Sequence, residues 1–152
     1  MVIMPSFTSK AAAKLVGISF RQLDYLDRTG CISPTGTLMH KKRSPRVYSY
    51  TDLIGLATAN RLLSLGIKIA DLENALSSLQ EQINKIHPPY NDYFFVTDLN
   101  NQHRLVRSED EIIETFSDAE GFDQLLIIDL DDIIKKVDRS IEKLKEEASK
   151  TA

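Results

Sequence analysis

Apolar and polar residues follow a helical rhythm over residues 7–30, FTSKAAAKLVGISFRQLDYLDRTG, and that rhythm is broken once. Thr8 or Ser9 can cap a first helix propagated by Ala11, Ala12, Ala13, Lys14 and Leu15, and Gly17 ends it by accepting a positive φ. Ser19 caps a second helix that points Ile18, Leu23 and Leu26 one way. Arg21, Gln22, Tyr25 and Arg28 point the other way as a single stripe. Gly30 ends this helix. Residues 35–50, TGTLMHKKRSPRVYSY, read as a two-stranded hairpin, with Thr37–Lys41 pairing Arg46–Tyr48 around a turn at 42–45. Thr51 or Ser49 caps a third helix that Gly66 ends. A fourth, from about Ile69 to Ile86, carries Ile69, Leu72, Leu76, Leu79, Ile83 and Ile86 on one stripe.

His87, Pro88 and Pro89 interrupt the helical pattern and mark a domain boundary. Beyond it the rhythm becomes ββαβα. Tyr93–Thr97 and His103–Arg107 alternate as strands about an Asn-rich turn at 99–102. Ser108 and Glu111 form a capping box for a helix through Phe116, and Leu125–Asp129 is a third strand. Asp131 opens a final helix with Ile134, Val137, Ile141 and Leu144 on one stripe. The expected fold class is therefore α+β. A winged helix–turn–helix with four helices and a hairpin wing fills residues 1–87, and a small acidic module fills 90–149.

Charge sharpens this division. Residues 1–87 hold 11 Lys and Arg against 6 Asp and Glu, whereas residues 88–152 hold 8 against 16. The basic half can displace counterions from nucleic-acid phosphates, and the acidic half is repelled by them. Four cations within six positions (Lys41, Lys42, Arg43 and Arg46), followed by Tyr48, suit a wing lying along a phosphate backbone or entering the minor groove. Small alanines at the inner contact of two short helices, with Arg, Gln and Tyr outside, are what a major-groove reader requires.

Other chemistry is weakly supported. His40, His87 and His103 have no His or Cys partner at ligand spacing, and there is no Gly-rich phosphate loop and no nucleophile elbow. Asp129, Asp131 and Asp132 follow a strand end, but acidic residues at a helix start satisfy its free N–H groups, so no metal site is assigned there. The aromatics Tyr90, Tyr93, Phe94, Phe95, Phe116 and Phe122 suit the core or an interface of so small a module better than a ligand pocket. No catalytic residue and no cofactor are expected. Cys31 is the lone cysteine and reads as core, which excludes an internal disulfide. No apolar run reaches the ~20 residues of a membrane helix, and MVIMPSF lacks the regions of a secretory signal. A cytoplasmic, nucleoid-associated protein follows.

Four stretches, FTSKAAAKLVGIS, RQLDYLDRTGCISP, RVYSYTDLIGL and RLLSLGIKIADLENAL, resemble in order and spacing the winged-helix domain of MerR-type bacterial transcription regulators. The RQLDY wording is similar to that of a subgroup with a short α/β C-terminal module. The resemblance implies a homodimer on a near-palindromic promoter site, with the second helix in the major groove and the wing on the flanking backbone. By position it implies DNA contacts at Arg21, Gln22, Tyr25, Arg46 and Tyr48, with Ser19 at a phosphate. Two departures stand out. Asp24, which can pair with Arg28, and Leu26 stand where many relatives carry a basic or neutral residue and an aromatic, respectively. The cysteines that the family's metal sensors use beyond this domain are missing. The expected function is a sequence-specific DNA-binding transcriptional regulator, not an enzyme. Alternatives are a DNA-tethered adaptor recruiting RNA polymerase or another regulatory protein, and a recombination or excision cofactor. For dimerisation, the stripe Ile134, Val137, Ile141 and Leu144 is favoured over that of the fourth helix.

Overall fold

The computed structural model describes residues 6–34, 46–86, 90, 92–100, 102–107, 111 and 125–150. The chain is α+β. Strand β1 (Ser6–Thr8) leads into α1 (Ser9–Val16), where Thr8 Oγ1 accepts the Ala11 N–H at 3.2 Å and Gly17 ends the helix at φ +78°. Helix α2 (Phe20–Arg28) follows at once, then β2 (Val47–Ser49) and α3 (Tyr50–Ser64). A single 3₁₀ turn, Ile69–Leu72, precedes α4 (Glu73–Ile83), so the expected fourth helix is tighter at its start and shorter at its end.

Val47–Ser49 forms a strand, one residue beyond the expected Arg46–Tyr48, and pairs along one edge with β1, Phe7 opposite Tyr48 and Thr8 opposite Val47. The expected partner strand, 37–41, lies outside the described residues, as do Lys41, Lys42 and Arg43.

In the second half, β3 (Phe94–Thr97) is the centre of a three-stranded antiparallel sheet between β4 (His103–Val106) and β5 (Leu126–Asp129). The β3–β4 turn is closed by Asp98, whose Oδ1 accepts the N–H groups of Asn100 at 2.8 Å and Gln102 at 2.9 Å. The helix expected over 108–116 falls almost wholly outside the described residues. Gln82 of α4 caps an exposed sheet edge: its Oε1 accepts the Leu105 N–H at 2.9 Å and its Nε2 donates to the His103 carbonyl at 3.0 Å. A side-chain amide here takes the place of a neighbouring strand on β4. In the acidic cluster at the next helix start, Asp129 caps by accepting the Asp131 N–H at 2.9 Å, and Asp131 ties down the loop before β3 by accepting the Asp92 N–H at 3.0 Å.

The last helix, α5 (Leu130–Lys150), returns to pack against α1 and α3. One core cluster accordingly runs from Phe7 through Leu23, Leu53, Leu62 and Leu76 to Phe95, Val137 and Ile141. Tyr50 of α3 donates to Asp138 of α5 at 2.6 Å, fastening the same junction. Its phenol is raised above the usual tyrosine value, first by burial and then by this hydrogen bond. The packing covers most of the stripe expected to dimerise. Ile134, Val137 and Ile141 are 9%, 2% and 8% exposed inside their own subunit, and Leu144 is half-buried beside Leu15 and Lys14. The α4 stripe is internal too, with Leu72, Leu76, Leu79 and Ile83 all buried. Each helix turns most of its apolar face to the core of its own chain, with Ile69, Ile86 and Leu144 half-buried at the ends of the two stripes.

Candidate nucleic-acid interface

Two short helices and a three-residue connection, Gly17–Ser19, set the geometry of the basic half. Ala12 and Ala13 are buried, letting α1 approach its neighbours closely, and Leu23 and Leu26 are completely buried on the inner face of α2. With those anchors fixed, the opposite face of α2 must point outward. Its first turn is rigidly capped: the Ser19 hydroxyl accepts the Gln22 N–H at 3.0 Å, and the Gln22 Oε1 accepts the Ser19 N–H at 3.0 Å. Gln22 is therefore held by its carbonyl oxygen, with its amide NH₂ end the part left to donate elsewhere. Ser19 and Arg21 are exposed on the same turn, and Arg21 forms no ion pair among the described residues.

The second half of α2 is engaged by the chain itself. Asp24 pairs with Arg28 at 2.9 Å, as the i, i+4 spacing implies, and also takes an ion pair from Arg46 Nη2. Arg46 Nε reaches Asp27 at 2.9 Å, so one guanidinium bridges two carboxylates on successive turns. The Arg46 hydrogen bond holds the Asp24 carboxyl below the usual carboxylate range, and the same bond raises Arg46 further. This revises the role of Arg46: with 26% of its side chain exposed, it ties the start of β2 to α2 rather than standing free for a phosphate. Tyr25 also turns inward at its tip, donating to Glu73 Oε1 at 2.9 Å, which raises its phenol.

Tyr48 is corrected outright. It is 0% exposed and belongs to the core, where burial pushes its phenol up to about 12. Its alternation in β2, paired with Phe7, sends the ring inward between exposed or half-exposed neighbours. Cys31 is 2% exposed and its thiol is raised by burial, in keeping with a core role.

One exposed residue escapes a search for polar stripes. Phe20, the first residue of α2, is 59% exposed beside Ser19 and Arg21. The signal was an apolar residue at a capped helix start, outside the Leu23 and Leu26 stripe. The ion-pair bridge also had a trace in the sequence, because Asp24 and Asp27 are three apart and face the same way; its partner Arg46, just before β2, did not. Among the described residues no cluster of three or more metal-ligating side chains occurs, and no helix is long and apolar enough to cross a membrane.

This scaffold coincides with a known one. Residues 7–79 match the MerR HTH family regulatory protein model. Over 76 residues, half of this chain, the sequence is 32% identical to an uncharacterized HTH-type transcriptional regulator of Mycobacterium bovis, and equally to counterparts in two strains of Mycobacterium tuberculosis. The matched segment spans only 34% of those relatives' length. The matched region begins in β1, contains α1, α2 and α3, and ends within α4. Residues 7–79 thus form a helix–turn–helix domain of the MerR type.

Proposed function

We propose that the chain is a sequence-specific DNA-binding transcriptional regulator that acts as a homodimer on a near-palindromic promoter site. The observation that carries this reading is the capped, outward first turn of α2, where Ser19, Phe20 and Arg21 are exposed on a helix anchored by Leu23 and Leu26. The N-terminal residues of the second helix are the ones that such a motif brings to base edges. Ser19 and Arg21 then contact phosphate or base, and Gln22 reads through its NH₂ group. Tyr25 contributes by its ring flank, and Lys41, Lys42 and Arg43 lie on the flanking backbone. The role is one of binding, exercised in the cytoplasm at the nucleoid. Two heads related by a two-fold axis double the contacts on an inverted repeat, which one head is too small to discriminate. The dimer surface in this reading lies outside the α4 and α5 stripes.

The acidic second half favours one companion role. Its 16 acidic against 8 basic residues suit recruitment of RNA polymerase or another regulatory protein while the basic half holds DNA.

The test is selection of bound fragments from random duplex DNA with the full chain, followed by titration across salt concentrations and sedimentation with and without the selected site. Enrichment of one inverted repeat, a log–log salt slope near −0.9 per phosphate contacted, and two chains per site are the expected results. No enrichment, with a flat salt response, overturns the DNA-binding reading. One chain per site at every concentration overturns the homodimer.

A further inference from the structure

Phe20, the first residue of α2, leaves a large aromatic side chain 59% exposed on the outward turn of that helix. It does not belong to the apolar face of α2, which is formed by the fully buried Leu23 and Leu26. It contributes nothing to the cap, which is made by Ser19 and Gln22 alone. Its neighbours Ser19 and Arg21 are polar and exposed, so the ring stands as a single apolar group within a hydrogen-bonding surface. The capping box fixes the backbone on both sides of it, and only the side-chain torsions of Phe20 remain to be ordered on binding.

The major groove offers one apolar group for such a ring, the C5-methyl of thymine. Phosphates, sugars and the donor and acceptor edges of the bases are polar and suit Ser19, Arg21 and Gln22. We propose that Phe20 is a specificity-determining residue that reads a thymine by contact of its ring with the C5-methyl group. This rests on the DNA-binding reading and deepens it. The contact is non-polar, insensitive to salt, and independent of the phosphate contacts made by neighbouring cations. It places one thymine in each half-site opposite the first turn of α2, next to the base pairs reached by Arg21 and Gln22.

The experiment uses the full chain and its selected duplex. Each thymine is replaced in turn by deoxyuridine, which removes the methyl and leaves every hydrogen-bonding group in place. Wild-type protein should lose about fourfold in affinity per half-site at one thymine position, the worth of burying one methyl group. Phe20→Ala should bind the thymine site more weakly and show no further loss on deoxyuridine at that position. Phe20→Leu, which keeps an apolar side chain there, should retain part of the discrimination. Circular dichroism and thermal unfolding check that both variants keep the fold. Indifference of the wild-type protein to every deoxyuridine overturns the inference while leaving DNA binding intact. So does a Phe20→Ala loss that is equal on thymine and deoxyuridine duplexes, since the ring would then act without reading the methyl. Absence of DNA binding by the wild-type chain would instead reject the reading on which the inference rests.

Discussion

The two ends of α2 differ more than its sequence suggests. Both carry charged and hydrogen-bonding residues on the outer face, and both share the same inner leucines. At the first turn those residues look outward: Ser19, Phe20 and Arg21 are exposed, and the side-chain bonds there among the described residues are those of the cap. At the last two turns they look to the chain itself, with Asp24 and Asp27 held by Arg46 and Tyr25 held by Glu73. A polar face on an amphipathic helix is therefore two surfaces here, one turned outward and one turned to neighbouring elements. The polar residues of the second surface fix the angle of the first, because β2 and the start of α4 both grip α2 through them.

Substitutions that separate the inward set from the outward set break or sharpen this contrast. The largest effect is expected at Tyr48, which is completely buried. Tyr48→Ala should lose roughly 3–5 kcal/mol of stability in denaturant unfolding, as truncation of a buried aromatic does. Weakened DNA binding at unchanged stability would return Tyr48 to the surface. Next, Ile141→Ala should cost roughly 2–5 kcal/mol, because its side chain lies in the core shared with α1 and α3. If that variant kept the wild-type melting temperature yet changed its sedimentation, the residue would belong between subunits after all.

The outward set should behave in the opposite way. Arg21→Ala should leave the melting temperature nearly unchanged, weaken binding several-fold, and flatten the log–log salt slope by about 0.9 if the side chain meets one phosphate. A stability loss without an effect on binding would place Arg21 among the inward residues.

Smaller effects test the brace and the sheet. Arg46→Lys should lower the melting temperature by a few degrees, since a single ammonium cannot bridge Asp24 and Asp27 as a planar guanidinium does. Asp24 ionises below its ordinary value when folded, so the brace is intact above that range and is lost only as the pH falls through it. Acidification should therefore erase the difference between Arg46→Lys and the wild type in strong acid and not near neutrality. The smallest effect concerns His103, whose ring accepts or donates at Thr97 Oγ1 over 2.7 Å and whose value is held below 6.5 by burial. A depressed histidine favours the neutral form in the folded chain. Its contribution is present above pH 6.5 and is lost as the pH falls through the lower folded value. His103→Asn should flatten the slope of melting temperature against pH below that point; an unchanged slope would show that another group titrates there.

Local chemistry accounts for most of what the sequence disclosed. The caps at Thr8, Ser19 and Ser49, the positive φ at Gly17, Gly30 and Gly66, and the three strands of the second sheet all depend on residues within a few positions of one another. Short-range hydrogen bonds and the two side-chain periodicities leave direct traces in residue order. The outward first turn of α2 was recoverable for the same reason.

Pairings across long separations left no such trace, and only the tertiary structure decided them. Nothing in Val47–Ser49 names Ser6–Thr8 as its partner, because a strand pattern reports which face is buried and not which edge is paired. That pairing sends Tyr48 inward. Likewise an apolar stripe reports that a helix buries one face without saying against what, and α5 buries its own against the core shared with α1 and α3. The same holds for charge. Arg46 counts as basic in any tally of residues, yet its position between two carboxylates twenty residues away makes it a brace, since an ion pair depends on distance in space and not on distance along the chain.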